Sequence, residues 1–275
     1  MRLVRKYWLD AVALVLATVV FVVPFGLIFV TAAKDRAEAA RLDLSWPTSW
    51  RLWDNVSEVV RASDHMLLTA TKNSVILTVA SVTLLVVTCS MAGFVLDRRR
   101  DTMAAAVNAM VLAGLIIPPA VVPTIFVLQE INLFKSIWGL ILVEVAYVAP
   151  FSILLFRAFA ATIPREIDEA AMIDGCTGLS LFTRVIFPLL RPVTITVIVT
   201  TSIIIYNDFV NPLYFLPGSD NATVQLTLYN FQGQYNTQWH LLFTDVLLIT
   251  IPPLLVFMLF SRKIVSGLTA GALKG

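Results

Sequence analysis

At 275 residues, 58% hydrophobic and only 14% charged, with a mean hydropathy of +0.84, the chain lies outside the composition of a soluble domain, and its apolar runs are long enough to cross a bilayer. A formal net charge of +2, with the basic residues scattered at the ends of apolar runs, argues against a polyanion-binding stripe and so against a nucleic-acid partner. Cys89 in an apolar run and Cys176 in a polar loop have neither the pairing of a disulfide framework nor the spacing of a zinc site.

Arg2, Arg5 and Lys6 precede an apolar run from Leu9 to about Ala33. A cleavable signal peptide has an apolar core of about 7–15 residues, so this longer run is expected to stay as a first transmembrane helix, kinked at Pro24 and Gly26. Residues 34–66 alternate acids and bases around Trp46, Trp50 and Trp53, which suits an external loop lying at the bilayer surface. A second span is expected from Leu67 to Leu96, stopped by Asp97, Arg98, Arg99, Arg100 and Asp101. The third, Met103 to Leu128, is interrupted by Pro118, Pro119 and Pro123, which break the helical ladder. Ser136 to Ala160 forms the fourth and Val193 to Leu213 the fifth. A second external loop at 217–240 is free of Lys and Arg. The sixth span, Leu241 to Phe260, is stopped by Arg262 and Lys263 ahead of a short tail at 261–275.

Lysine and arginine concentrate beside the first, second, fourth, fifth and sixth spans on the side that carries the amino terminus, while most of those on the other side share one long loop balanced by acids. The expected architecture is therefore an all-α polytopic membrane protein. It is a single transmembrane domain over 1–275 with six transmembrane helices and both termini in the cytoplasm (N-in/C-in). The loop at 161–192 then faces the cytoplasm.

That loop combines helix punctuation with acids and small residues. Pro164 suits a first helical position, and Glu166, Asp168 and Glu169 place negative charge where the helix dipole favours it. Asp174-Gly175 signals a left-handed turn, after which an apolar run restarts a helix that closes near Pro188. The result is a helix-turn-helix in which Ala170, Ala171 and Asp174, with Ile167 and Glu169, offer a small-residue face that another protein could approach.

Glu169, Ala170 and Ala171, then Gly175, then the Phe187-Pro188 pair, resemble the EAA loop of bacterial ABC importer permeases. The resemblance implies the type I ABC importer permease fold. It also implies that Glu169, Ala170, Ala171, Asp174 and Gly175 form a coupling helix seated on a separate ATPase dimer, with Glu169 near a basic residue of that partner. Lys72-Asn73-Ser74, Ala149-Pro150-Phe151, Asn207-Asp208-Phe209 with Pro212-Leu213, and the tail Gly267–Gly275 are similar to the maltose-type carbohydrate permeases, over nearly the whole chain. Two departures are Tyr206, where that family usually has Trp, and Cys176-Thr177 in place of Ala-Ser. The implied partners are a second permease subunit, an ATPase dimer, an external sugar-binding protein and membrane lipid. The chain lacks a GxxxxGK[ST] phosphate loop, so it is not expected to be an enzyme or to bind a cofactor, and ATP and Mg belong to the ATPase partner. The setting implied is a bacterial or archaeal cell membrane.

Glu144, Asp208 and Asp245 are costly in hydrocarbon and should face protein or water. Tyr206, Asn207, Asp208 and Asn211 combine amides, a carboxyl and an aromatic face, as a sugar ring requires, and with Glu144 they are candidates for a substrate pathway. The same residue types also cap helices and bond neighbouring spans, and that reading stays open. In the second external loop Gln232, Gln234, Tyr235 and Asn236 suit contact with the binding protein. The intramembrane acids leave one rival, an ion-coupled secondary transporter, against which the elaborate cytoplasmic loop and the lack of an evident repeat both count. His65 and His240 lie at external span ends with no nucleophile motif or metal cluster near them in sequence, which argues against an intramembrane enzyme.

Overall fold

The computed structural model describes the backbone of residues 2–218, 221–233 and 236–272, and side chains for residues 8, 10–218, 221–233 and 236–259. All regular structure among the described residues is helical. Four of these helices are long and apolar enough to cross a membrane, at Asp10–Ala32, Leu52–Arg98, Ile137–Ala160 and Trp239–Leu259. A bent pair, Gly178–Leu189 with Arg191–Tyr206, passes the same test jointly. The expected third span is instead two shorter apolar helices, α5 (Thr102–Ile116) and α6 (Val121–Glu130), separated where Pro118 and Pro119 withhold their N–H groups.

The first span comprises α1 (Arg2–Ala17), a π turn at Thr18–Val22 and α2 (Val23–Ala32). The irregularity expected at Pro24 and Gly26 falls one turn earlier. Pro24 has no N–H to return, and the N–H of Val23 reaches five residues back to the Thr18 carbonyl. Gly26 sits inside regular α2 with nothing within 4 Å of where a Cβ would be, so it makes no kink.

The chain forms two compact units. In the unit built from residues up to Thr71 and Val224–Pro252, the Lys34 side chain is 1% exposed just past the end of α2. Its ammonium donates to the Asp43 carbonyl at 2.8 Å, the Asp43 carboxylate at 2.7 Å and the Ser45 hydroxyl at 3.1 Å, so all three donors are used. Buried Asn55 donates to the Ala32 and Lys34 carbonyls at 2.8 and 2.9 Å, closing the C-terminus of α2. The loop at 34–66, expected to be external, is thus ordered. It holds α3 (Arg36–Ala39), capped by Asp35, and its second half already belongs to α4 (Leu52–Arg98). Within α4 a break at Ala62–His65, with Ser63, Asp64 and His65 left-handed, falls just before the expected start of the second span. The rings of Phe29, Trp50 and Trp46 form a chain of contacts at 5.8 Å, and Trp46 and Trp53 are strongly exposed, as surface anchors would be. From α14 (Trp239–Ala272), the Thr244 hydroxyl donates to the Ala32 carbonyl at 3.2 Å. Asp245 accepts from Thr227 of α13 (Val224–Thr227) at 2.8 Å.

The larger unit covers Lys72–Thr223 and the chain from Pro253. Its core centres on Leu77, Leu85, Leu140, Phe156, Ile186, Leu190, Ile205 and Phe215, all essentially inaccessible. Ser136 caps α7 (Ile137–Ala160) by accepting the Gly139 N–H at 3.0 Å, at the boundary expected from sequence. Two close approaches set the spacing of the spans. A Cβ on Gly93 of α4 would stand 2.7 Å from Phe156 Cβ and 2.8 Å from the Arg157 nitrogen of α7, and one on Gly114 of α5 would stand 2.9 Å from Pro150 Cγ. Arg157 also donates to Asn108 of α5. The expected fifth span is not one helix: α11 (Arg191–Tyr206) ends at Asn207, and α12 (Val210–Phe215) follows.

Two outcomes test this packing. Gly93→Ala is expected to lower the stability of the detergent-solubilised chain by about 1–3 kcal/mol through overpacking against backbone, read as a lower thermal midpoint, whereas Gly26→Ala is not. Equal midpoints would show that α4 and α7 are not held this close. The second concerns Asp43, whose carboxyl is lowered from 3.8 to about 2 by the Lys34 ammonium and then the Ser45 hydroxyl. A carboxylate depressed in the folded state adds stability above its unfolded value and loses it as pH falls through the folded value. The thermal advantage of wild type over Asp43→Asn should be full at neutral pH and shrink between about pH 4 and pH 2. An advantage indifferent to pH in that window would remove the carboxylate lock.

Candidate functional site

The 161–192 loop starts from Pro164, which lies at the N-cap with φ −56° and ψ 140°, one position before the first helical residue where sequence placed it. From there α8 (Arg165–Ile173) runs for nine residues. The helical period turns Ile167, Asp168 and Ala171 toward the larger unit's core, and Asp168 and Ala171 are buried. Glu169, Ala170 and Asp174 remain exposed, so the small-residue face expected there is divided, with Ala171 turned inward.

The helix ends in a complete Schellman motif. The Cys176 N–H returns to the Ala171 carbonyl at 2.9 Å and the Gly175 N–H to that of Met172 at 3.1 Å. Gly175 has φ 87° with nothing within 4 Å of where a Cβ would stand, so the left-handed turn read from Asp174-Gly175 is present. Chain direction reverses into α9 (Gly178–Leu181), where the Ser180 hydroxyl accepts the Thr177 N–H at 3.0 Å. A π turn at Phe182–Ile186 and α10 (Phe187–Leu189) complete the second arm, which meets α11 at a 78° bend where Arg191-Pro192 restarts the helix. The rim around the turn carries apolar side chains that sequence reasoning passed over. Ile173 is 86% exposed, Leu179 63% and Met172 50%. For Ile173 the signal was its phase, since it falls on the side of α8 opposite Ala171.

A second missed feature anchors the loop. Arg98, at the end of α4, donates from Nε to Asp168 at 2.5 Å and from Nη2 to the Ile163 carbonyl at 3.0 Å. Its Nη1 donates to Asp97 at 2.6 Å, and its guanidinium lies 5.4 Å from the centre of the Phe94 ring. The two partners are far apart in sequence and no local pattern links them.

Inside the membrane region the structure brings together Glu144, Asp208 and Asn211. Glu144 is 2% exposed in the middle of α7, its Oε1 accepts from the Asn211 amide at 3.2 Å, and the Asp208 carboxyl lies against it. Asp208 Oδ1 also accepts the Val210 N–H at 2.9 Å and the Asn211 N–H at 3.4 Å, so it caps α12 across the break in the fifth span. Asn207 is exposed and turns its amide back to the Ile203 carbonyl at 2.9 Å, while Tyr206 is buried at the end of α11. Capping is therefore a real role of Asp208, alongside a second one against Glu144.

In the 217–240 loop, Asn236 accepts from Arg36 at 2.8 Å and Gln232 is exposed; Gln234 and Tyr235 lie outside the described residues. Tyr229, Gln232, Gly233, Thr237 and Trp239 line a shallow pocket of about 320 Å³. The tail Gly267–Gly275 continues α14 as far as Ala272, and its last three residues also lie outside the described ones.

Apolar spans joined by an ordered, acid-bearing loop define a multi-pass membrane protein. Residues 85–269 match the model of the family described as binding-protein-dependent transport system inner membrane component, and the chain belongs to that family. It is 29% identical over 273 residues, covering 98% of each chain, to the probable starch degradation products transport system permease protein AmyC of Thermoanaerobacterium thermosulfurigenes. It is 30% identical over 272 residues to the diacetylchitobiose uptake system permease protein DasC of Streptomyces coelicolor, again covering 98% of each. In fold it is similar to a chain of a bacterial ABC transporter involved in the import of the acidic polysaccharide alginate, with a TM-score of 0.83 at 17% identity over 95% of this chain and 98% of that one. The chain is thus a multi-pass cell-membrane protein with the type I ABC permease fold.

The turn at Gly175 is conformational in its demand, because space is open around it. Gly175→Val should cost the loop about 1–2 kcal/mol while Gly175→Asn costs less, and protease cleavage within 161–192 reads the difference. Equal cleavage of the two variants would mean that the left-handed turn is dispensable.

Proposed function

We propose that the chain is one of two membrane subunits of a heterodimeric pore that imports a sugar or oligosaccharide delivered by an external binding protein, with energy from ATP hydrolysed, with Mg, in a separate ATPase dimer. In this reading the chain crosses the membrane six times. The α5–α6 pair forms one span broken at its prolines, α11–α12 forms another broken at Asn207–Phe209, and both termini are cytoplasmic. The Lys and Arg distribution supports that orientation. The names of AmyC and DasC, which refer to starch degradation products and diacetylchitobiose, support a carbohydrate cargo.

The observation that carries the proposal is the build of the cytoplasmic loop. A rigid glycine turn presents Glu169, Ala170 and Asp174 with the apolar rim of Met172, Ile173 and Leu179, a combination suited to a cleft with an apolar floor and a basic edge. Ala171 supports the helix from within, and Gly175 sets its end. An ATPase engaging this rim would move the loop as a body, and two discrete arrangements of the spans would alternate access to the pathway. Glu144, Tyr206, Asn207, Asp208 and Asn211 border that pathway beside the break in the fifth span. Gln232, Gln234, Tyr235 and Asn236 meet the binding protein, and the tail at 261–275 lies on the ATPase side.

Purification of the tagged chain from its native membrane in mild detergent tests this. A second permease and an ATPase should accompany it, and Glu169→Arg should reduce ATPase activity stimulated by the loaded binding protein by about tenfold or more through charge reversal at the contact. A lone chain supporting ion-driven uptake without ATP would put a secondary carrier in its place.

A further inference from the structure

The guanidinium of Arg98 is held in a way that apolar packing alone would not require. Its side chain is 15% exposed and that of Asp168 10%. Nε and Nη2 reach the two carboxylate oxygens of Asp168 at 2.5 and 3.3 Å, a fork on a fork, while Nη2 also binds the Ile163 carbonyl and Nη1 binds Asp97. Such a pair fixes orientation as well as distance, because both groups are planar and the bonds are parallel. Arg165, at the start of α8, points back to the Asp97 and Arg98 carbonyls at 3.4 and 3.5 Å. On the other side of the guanidinium, Phe94 lies 5.9 Å from Phe182, and Phe182 lies 5.8 Å from Phe187.

These contacts have a mechanical reading. A nine-residue helix is too short to hold its place by propensity, and α8 buries few large apolar side chains that could locate it. The bidentate pair fixes α8 against the cytoplasmic end of α4, and the phenylalanine stack ties the same end of α4 to the loop's second arm. We propose that Arg98 and Asp168 are positioning residues for transport. They make α8 and the end of the second span one lever, so that a displacement imposed on the loop by an ATPase is delivered to the span. This rests on the reading of 161–192 as the ATPase-facing loop.

The test uses Arg98→Lys, which keeps the charge and loses the fork, and Asp168→Asn, which keeps the shape and loses the charge. Each variant is reconstituted in liposomes with its second permease, ATPase and binding protein. ATP hydrolysis and sugar uptake are measured on the same vesicles. Uptake per ATP hydrolysed should fall about fivefold or more while the quantity of assembled complex and its ATPase activity stay within about twofold of wild type. Uptake and hydrolysis falling together, or uptake per ATP unchanged, would overturn the proposal, as would loss of assembly in both conservative variants, since each would make the pair a folding staple only. If the wild-type chain brings no ATPase with it at purification, the loop's assignment fails instead, before the pair is examined.

Discussion

A guanidinium cannot shed its charge at any pH the cell meets, so a largely enclosed one must be surrounded by acceptors. At Arg98 those acceptors are Asp97, Asp168 and the Ile163 carbonyl. Satisfying it obliges residues 161–192 to fold back over the end of the second span. Once they do, the helical period of α8 and the turns that follow it settle which side chains face inward. Ala171, Ile186 and Leu190 go inward and join the core of the larger unit, and Glu169, Ile173 and Leu179 are left outward. The charged cluster at 97–101 therefore does more than end an apolar run.

Much of this fold could be read from the chain. Breaks at Pro118-Pro119 and at Asp174-Gly175 follow from missing donors and from a left-handed conformation, both local properties that a residue type announces by itself. The start of α7 at Ser136 and the end of α4 at Arg98 are equally local. What escaped was set by partners distant in sequence. Nothing near Arg98 names Asp168, and nothing near Lys34 says that its ammonium will be enclosed by Asp43 and Ser45. The same applies to Ala171, whose type suits either face of a helix and whose burial depends on what lies beneath it. At Pro24 local reasoning was right about the cause and one turn off in place, because a missing donor disturbs the carbonyls that precede it.

The polar groups within the membrane region show how one side chain can serve two ends. Asp208 satisfies the first N–H groups of α12 and faces Glu144, while Asn211 bonds Glu144 from the same short helix. The break between α11 and α12 and the buried acid of α7 are thus parts of one arrangement. Asp245, in the smaller unit, is bonded to Thr227.

Gly93 and Gly175 look alike in the sequence and answer to different constraints. At Gly93 the Phe156 Cβ and the backbone of Ile153 and Arg157 leave no room for the Cβ of an L residue. At Gly175 the Cβ of an L residue would meet nothing within 4 Å, and the objection is to its chirality, since a φ of 87° is the mirror image of what L residues prefer. A D-alanine placed at 175 by chemical ligation would prefer the turn's backbone conformation, and would narrow the conformations open to the unfolded chain as well. One position excludes matter and the other excludes a handedness, so the genetic code, which offers no D residue, leaves glycine as the common answer to both.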